Sequence, residues 1–365
     1  MSISPYINHN VQELVAYQPG KPISETAREL GLDPAQIVKL ASNENSQGPS
    51  PMAVRAMQEA AAGMHIYPDG ASYDLRSKIA ARHGVEFCQT VVGNGSSELI
   101  ELLCHACLRP GLELVAAQYS FAMYALMSKL FDAKYVEVPN KADWSHDLQG
   151  MLAAITPQTR LVFITNPTNP VGTMVGQAEM DAFMAAVPEH VIVAFDEAYI
   201  EFAGEVVDCL KYVKAGRNVV ALRTFSKAYG LAGARVGYAV TTPEIADLLN
   251  KARSPFNVNL MAQVAACAAL DDPEHLASSV EMVKQGREQY YAAFQAWGIP
   301  YIPSHGNFIL VQVGNGKAVY DEMLARGVIL RPMGGYGLPE YVRITVGNQS
   351  ENEQCLAALQ AVLKK

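Results

Sequence analysis

The sequence has little of several features that mark specialised classes of protein. Six cysteines in 365 residues are too sparse for a disulfide framework. No apolar run approaches the roughly 20 residues that span a bilayer, and the first ten residues lack the basic cluster and apolar run of a targeting segment. The net charge is −8, without a lysine or arginine run, so neither nucleic acid nor a membrane surface is an expected partner. We expect a cytoplasmic protein with reduced cysteines in its core.

Several catalytic and metal-binding motifs are also missing. Cys104 and Cys107 form a C-x-x-C pair inside an apolar helical pattern, but no second pair is nearby and no histidine pair has convincing ligand spacing, so we predict no metal site. Glu98 stands where a dinucleotide-binding G-x-G-x-x-G would have its last glycine, which disfavours a nicotinamide enzyme. The G-x-S-x-G of a serine hydrolase is absent.

What is present is an alternation of strand-like and helix-like segments. Between residues 51 and 265, runs such as RLVFIT, HVIVAFD and NVVALRTF alternate with amphipathic stretches. This pattern predicts an α/β fold with three layers, in which helices flank a mostly parallel sheet. After residue 265, longer helices and two further strands predict a smaller α+β domain. We expect an N-terminal arm and small-domain segment over 1–50, a large domain over 51–265 and a small C-terminal domain over 266–365.

Polar residues follow three of the predicted strands directly. NPTNPVG (166–172), DEAY (196–199) and SKAYGLAGAR (226–235) each come after an apolar run. Ligands of open α/β sheets bind outside the carboxyl ends of the strands. These three segments are therefore expected to meet at one site.

Lys227 and Asp196 are the residues in these segments that carry the most chemistry. A lysine set between an apolar strand and a small-residue stretch is expected to be partly buried, which lowers its pKa and leaves a nucleophilic amine suited to a Schiff base. A carboxylate at the end of an apolar strand needs a cationic partner, for which a protonated ring nitrogen would serve. A surface lysine and a helix-capping carboxylate are the alternatives.

Two segments could hold a phosphate group. Arg235 offers a bidentate guanidinium and Ser226 a hydroxyl. In VVGNGSSELIELL, glycines precede Ser96 and Ser97 at the predicted start of a helix, where free N–H groups and the helix dipole favour an anion. Ser96 could alternatively be an ordinary N-cap.

Taken together, these motifs resemble one family over nearly the whole chain. NPTNPVG, DEAY and TFSKAYGLAGARVGY, in this order and spacing, look like those of the pyridoxal-phosphate-dependent aminotransferases of the aspartate aminotransferase fold type, fold type I. LASNEN (40–45), YPDG (67–70), NGS (94–96), VILRP (328–332) and VRITVG (342–347) are similar to the histidinol-phosphate aminotransferase branch. NPTNPVG departs from the common NPNNPTG, since Thr168 and Val171 replace an asparagine and a threonine.

The resemblance implies pyridoxal 5'-phosphate as cofactor and a role for each matching residue. Lys227 would hold the cofactor as a Schiff base and then move the substrate proton, and Asp196 would pair with the ring nitrogen. Tyr199 and Asn169 would bond the ring hydroxyl. The residues that would hold the phosphate are Ser96, Ser97, Ser226 and Arg235.

An aromatic residue is expected to stack on the cofactor ring. Phe121 falls at the matching position, although Tyr119 is close enough to take the role, and Phe121 could instead be a core residue. Tyr67 would reach the cofactor phosphate of a neighbouring subunit, which implies a homodimer; otherwise YPDG is an ordinary turn.

Substrate binding is expected to depend on arginine. Arg343 has apolar neighbours, and a buried arginine needs an anion, so it is the candidate clamp for a carboxylate or phosphate. Arg331 and Tyr17 stand at positions that, by the resemblance, contact the anionic substrate. Arg331 could alternatively form a structural salt bridge.

The implied function is histidinol-phosphate aminotransferase in histidine biosynthesis, with glutamate and 2-oxoglutarate as the second substrate pair. A broad aromatic amino-acid aminotransferase with the same machinery is the main alternative, and the glycine-rich MGGYG (333–337) stands where specificity is expected to be set. A pyridoxal-phosphate-dependent decarboxylase of an amino-acid phosphate is a further alternative.

Overall fold

The structure is a computed structural model that describes residues 3, 6–15, 20–204 and 207–364. Its strands are β1 (Val38–Lys39), β2 (Thr90–Gly93), β3 (Glu113–Ala117), β4 (Lys134–Val138), β5 (Thr159–Thr165), β6 (Ile192–Asp196), β7 (Val219–Thr224), β8 (Gly237–Thr241), β9 (Tyr301–Ile302), β10 (Phe308–Gln312), β11 (Val328–Ile329), β12 (Arg331–Pro332) and β13 (Tyr341–Thr345).

The helices run between these strands and at both ends of the chain. They are α1 (His9–Gln12), α2 (Ile23–Leu30), α3 (Pro51–Ala60), α4 (Tyr73–His83), α5 (Ser96–Cys107), α6 (Met123–Leu130), α7 (Leu148–Ala153), α8 (Gln177–Ala186), α9 (Leu210–Lys214), α10 (Pro243–Ala252), α11 (Leu260–Leu270), α12 (Pro273–Trp297), α13 (Gly316–Ala325) and α14 (Gln349–Leu363).

Seven strands form the main sheet, in the order β2-β8-β7-β6-β5-β3-β4. β8 runs antiparallel to both of its neighbours, while β7, β6, β5, β3 and β4 pair in parallel. The carboxyl ends of β5, β6 and β7 therefore meet at one edge. The prediction of a mostly parallel sheet flanked by helices is confirmed, although the sequence pattern did not reveal β2 as a strand.

Both faces of the main sheet are buried, as β5 illustrates. Leu161 and Phe163 pack into the apolar cluster that includes α5, whereas Val162 and Ile164 pack into the cluster on the other face. Because successive side chains of a strand point to opposite faces, this division shows that helices cover the sheet on both sides, as expected for a parallel sheet.

A second, four-stranded antiparallel sheet has the order β12-β13-β10-β9. Its apolar residues form a separate cluster with α12 and α14. β1 pairs in parallel with β11 beside this sheet, and Thr345 at the end of β13 donates its N–H to the carbonyl of Leu40. The N-terminal part of the chain is thereby joined to the C-terminal part.

The long helix α12 shows how local sequence fixes the ends of an element. The carboxylate of Asp272 accepts a hydrogen bond from the N–H of His275, Pro273 occupies the first turn, and Gly298 ends the helix in the left-handed conformation. These are favourable residues for a helix start and a helix end.

The cysteines are free in the structure. Cys104, Cys209 and Cys355 are buried, as expected, whereas Cys88 is exposed, so the core prediction is wrong for that residue. In the part of the chain that the structure describes, no helix combines the length and apolar character that crossing a membrane requires.

Candidate active site

A cavity of about 470 Å³ opens at the carboxyl edge of the main sheet, where it faces the four-stranded sheet. Most of the predicted site residues line it. They are Ser96, Ser97, Phe121, Asn169, Asp196, Tyr199, Ser226, Lys227, Arg235, Arg331 and Arg343.

Lys227 follows β7 and extends its amine into the cavity. Its Nζ donates a hydrogen bond of 3.0 Å to the carbonyl of Ser42 and lies 5.7 Å from the centre of the Tyr199 ring. Burial lowers the pKa of the amine to about 8, and the positive charge of Arg343 acts in the same direction. An amine with such a pKa is unprotonated often enough near neutral pH to act as a nucleophile or a base.

Asp196 is the last residue of β6 and is only 3% exposed. One carboxylate oxygen accepts a hydrogen bond of 2.7 Å from the hydroxyl of Tyr124, and the other accepts from the N–H of Ala198 at 3.2 Å. Burial raises the pKa of Asp196 to about 6 despite these bonds. A buried carboxylate beside a cavity is suited to a cationic group of a ligand.

Tyr199 lies between the two sheets and is buried. Its hydroxyl accepts a hydrogen bond of 2.9 Å from Nδ2 of Asn43. Burial raises the pKa of Tyr199 to about 12, so the phenol stays protonated and its O–H is available to the cavity as a donor.

Ser96 and Ser97, at the start of α5, line the cavity. Gly95, at a φ of 81°, precedes the helix, and no side chain caps it, so the alternative interpretation of Ser96 as an N-cap is wrong. A Cβ at Gly95 would meet the guanidinium of Arg235, and a Cβ at Gly237 would collide with the backbone nitrogen of Ser96. The backbone is therefore closely packed around the first turn of α5, whose N-terminal amides, with Arg235, make a site for an anion beside the cavity.

The opposite wall carries two arginines on neighbouring strands. Arg343 of β13 pairs in register with Arg331 of β12. The guanidinium of Arg343, a buried residue, donates to Oδ1 of Asn169 at 2.6 Å and to the carbonyl of Ala41 at 2.9 Å. Both of these acceptors are neutral, and a guanidinium fork on this wall suits it to an anionic substrate.

The structure distinguishes between the aromatic residues predicted to contact the cofactor. Phe121 lines the cavity, whereas Tyr119 packs against Trp144 with ring centres 5.3 Å apart. Tyr67 is not among the residues around this cavity; it is 78% exposed and stacks on Phe256 at 4.6 Å. Tyr17 lies outside the described residues.

Several residues of the site escape prediction from the sequence. Tyr124 has no distinguishing pattern as an internal helical tyrosine, and Thr165, whose hydroxyl lies 2.8 Å from that of Tyr124, has the pattern of an ordinary strand residue. Asn43 and Glu44 stand in the LASNEN motif, but the motif alone assigned them no role. Tyr336 of MGGYG also lines the cavity.

Comparison with known proteins places this geometry in a family. The family model of aminotransferase class I and II matches residues 35–359, and the chain belongs to that family. The chain is 63% identical over 363 residues to a histidinol-phosphate aminotransferase of Akkermansia muciniphila, with 100% of each chain covered. It is 49% identical to histidinol-phosphate aminotransferase 2 of Pseudomonas fluorescens, with 97% of this chain and 96% of the relative covered.

A solved structure gives the same result. The fold is similar to that of histidinol-phosphate aminotransferase from Sinorhizobium meliloti in complex with pyridoxal-5'-phosphate, with a TM-score of 0.90, 28% identity, and 98% and 97% of the two chains covered. The expectation of the aminotransferase fold and family is thus confirmed.

Proposed function

We propose that the protein is a pyridoxal 5'-phosphate-dependent histidinol-phosphate aminotransferase of histidine biosynthesis. It converts L-histidinol phosphate and 2-oxoglutarate to imidazole-acetol phosphate and L-glutamate. The observation that carries this proposal is that one cavity combines an amine of lowered pKa at Lys227, a buried carboxylate at Asp196 and the N-terminal turn of α5 beside Arg235. The names of the relatives agree with it.

The cavity residues fit pyridoxal phosphate. The N-terminal amides of α5, with Ser226 and Arg235, would receive the phosphate, and Asp196 would face the ring nitrogen. Phe121 would stack on the ring, while Tyr199 and Asn169 would contact its hydroxyl. When bound, the cofactor supplies a reactive aldehyde and an electron-withdrawing ring.

The side chains divide the remaining work of the reaction. Asp196 keeps a proton at the ring nitrogen, because a cation beside a buried carboxylate is stabilised. The Nζ of Lys227 accepts the proton from the α-carbon of the amino donor. In the other half of the exchange it returns a proton to the α-carbon of the second substrate, and a pKa near 8 suits both roles. Arg343 and Arg331 bind the substrate's phosphate or carboxylate, since a guanidinium fork fits both. Tyr17 would add a further anion contact.

The active unit is proposed to be a homodimer. Several large apolar side chains are exposed near Tyr67, among them Met64, Ile66 and Phe256, and such a patch is suited to a protein interface. In a dimer, Tyr67 would complete the cofactor-phosphate site of the neighbouring subunit. Free cysteines agree with a cytoplasmic location, where thiols remain reduced.

We also propose the domain division 1–50, 51–265 and 266–365. The main sheet, β2 to β8, lies within the second segment and the four-stranded sheet within the third, and each has its own apolar cluster.

The test compares kcat/KM for histidinol phosphate, phenylalanine and tyrosine, each with 2-oxoglutarate as acceptor. We expect histidinol phosphate to be preferred, and the visible absorbance of the bound cofactor to change when it is added. A clear preference for phenylalanine would establish the aromatic aminotransferase instead. Carbon dioxide release without a keto-acid acceptor would establish a decarboxylase.

A further inference from the structure

Glu44 gives the cavity a carboxylate that the proposed chemistry does not use. Among the described residues that line the cavity, the cationic side chains are those of Lys227, Arg235, Arg331 and Arg343, and the carboxylates are those of Asp196 and Glu44. The proposed cofactor and both substrate pairs bring anionic groups to this cavity. A carboxylate there repels these anionic groups, because like charges repel in a site of reduced dielectric. Its presence is explained if it binds a hydrogen-bond donor of a substrate.

The backbone around Glu44 is fixed by its two neighbours. Asn43 receives a hydrogen bond at its carbonyl from Nδ2 of Asn307 at 3.0 Å, and its own N–H donates to the hydroxyl of Thr345 at 2.9 Å. Nδ2 of Asn45 donates to the carbonyl of Ala228 at 2.9 Å. The Glu44 side chain is thus presented from a rigid segment that is attached beside Lys227.

Lys39 is the ion-pair partner of Glu44. Its Nζ lies 3.0 Å from the Glu44 carboxylate, whose side chain is 45% exposed while that of Lys39 is 20% exposed. A carboxylate has about four lone-pair positions, so one ammonium group does not exhaust it. Lys39 Nζ lies 3.0 Å from each of the two carboxylate oxygens, and because Glu44 also lines the cavity, its remaining lone pairs can accept a second donor.

The charge of Glu44 also acts on the reacting amine. Burial is the main influence on the pKa of Lys227 and lowers it, and Arg343 acts in the same direction, whereas Glu44 opposes both by raising it. The Glu44 carboxylate is therefore within electrostatic range of the point where a substrate would react.

We propose that Glu44 accepts a hydrogen bond from the imidazole ring of L-histidinol phosphate and so selects it over phenylalanine. This inference depends on the proposed function and deepens it. The imidazole ring carries N–H donors and titrates near pH 6.5, whereas a phenyl ring offers no donor and the side chain of glutamate is an anion. When glutamate or 2-oxoglutarate is bound, Lys39 compensates the charge of Glu44.

The experiment measures kcat/KM of the holoenzyme for histidinol phosphate and for phenylalanine, in Glu44→Gln and Glu44→Leu variants. For Glu44→Leu we expect the ratio of the two values to fall about tenfold or more, the size of a lost hydrogen bond to a charged group. In Glu44→Gln this ratio should fall less, because the amide oxygen can still accept a hydrogen bond. The difference in this ratio between the unchanged enzyme and Glu44→Gln should be larger at pH 6 than at pH 8.5, because the imidazole is cationic at the lower pH.

Lys39→Met is the matched control. It should raise KM for 2-oxoglutarate, since the negative charge of Glu44 is then uncompensated, without lowering the ratio of histidinol phosphate to phenylalanine. Thermal unfolding and cofactor absorbance identify any variant that has not folded, and in that case the isosteric Glu44→Gln decides the result.

The possible failures are distinguishable. If the unchanged enzyme does not use histidinol phosphate, the proposed function itself is wrong. If it does, but the Glu44 variants lower kcat/KM for both substrates equally or leave the ratio unchanged, then Glu44 does not recognise imidazole. If the ratio falls as much in Lys39→Met as in Glu44→Leu, the Lys39–Glu44 ion pair has only a structural role. That result would also overturn the inference.

Discussion

The two walls of the cavity are assembled over different distances along the chain. The sheet-edge wall, formed by Ser96, Asp196, Ser226, Lys227 and Arg235, uses residues that directly follow or adjoin strands of the main sheet. The long-range wall, formed by residues 41–44, Arg331 and Arg343, is assembled by contacts such as that of Arg343 with Ala41, which are 302 residues apart in the sequence. The comparison suggests that the first wall serves a fixed chemistry, while the second can adapt to different substrates.

The largest effect is expected at the centre of the sheet-edge wall. Replacing Lys227 by Ala removes the amine that we propose holds the cofactor and moves the substrate proton. We expect turnover to fall by at least about 10³-fold, as for the loss of a general base that is also a nucleophile. Single-turnover and steady-state rates with histidinol phosphate measure the loss.

The control for this variant is Lys251→Ala, which removes an exposed lysine paired with Asp247 on α10. Its rate should remain close to that of the unchanged enzyme. Appreciable turnover by the Lys227 variant would remove the distinction between the two walls, because the chemistry would then lie elsewhere.

The second prediction uses the pH dependence of Asp196 in the cofactor-free protein. Burial raises its pKa from 3.8 to about 6, so the folded state binds more protons than the unfolded state between these values. The free energy of unfolding therefore falls as pH rises through about 6. Asp196→Asn removes this cost, and cofactor-free protein at pH 8 should become more stable by at most about 3 kcal/mol, which corresponds to the shift in pKa.

Urea unfolding of the cofactor-free proteins at pH 8 and near pH 4 measures this difference, which should vanish at the lower pH. Asp247→Asn, at an exposed position, should show no comparable gain. With pyridoxal phosphate added, the order should reverse, because in the proposed arrangement the ring nitrogen would compensate the carboxylate of Asp196. An equal effect at both pH values would contradict the assignment to Asp196.

Much of the sheet-edge wall could be predicted from the sequence, because each residue stands next to an apolar run. Lys227 and Asp196 could be placed at strand ends from the apolar runs that precede them, since parallel strands bring their carboxyl ends together. The position of Arg343 in its strand could be predicted in the same way. Its partner Ala41 could not, because no local pattern specifies which of two distant segments will pair.

The third prediction tests the long-range wall. Arg343→Gln removes the cationic fork and weakens the contacts to Asn169 and Ala41. We expect kcat/KM to fall about 10- to 100-fold for both anionic substrates, mostly through KM, since charge-assisted hydrogen bonds contribute about 1.5–3 kcal/mol. Arg326→Gln, at a position on the surface beside Glu322, is the matched control.

A fall in kcat alone, with KM unchanged, would place Arg343 in the chemical step instead of in substrate binding. The functional contrast between the two walls would then be wrong.

The smallest effect is expected at Tyr124, which no sequence pattern singled out. Tyr124→Phe removes the hydroxyl that donates to Asp196 at 2.7 Å while keeping the stacking on Phe163. Without this donor the carboxylate is harder to ionise, so affinity for pyridoxal phosphate should fall about tenfold or less. Equilibrium dialysis at pH 6.5 and pH 8 measures it, with a greater loss expected at the lower pH.

Tyr290→Phe provides the comparison, because Tyr290 is also fully buried but packs in the cluster of the four-stranded sheet. Equal changes in cofactor affinity for the two variants would show that the effect of Tyr124 is one of general packing.

The glycine at position 237 has a consequence for how this protein can vary. Because a Cβ there would collide with the backbone nitrogen of Ser96, β8 can pack this closely against the start of α5 only with glycine, and the position of the α5 amides depends on that packing. A library randomised at 237 should yield active clones that encode almost only glycine, while a library randomised at 336, a position that also lines the cavity, should return a mixture. Attempts to redirect the enzyme to other amines should therefore begin at the second position and leave the first untouched.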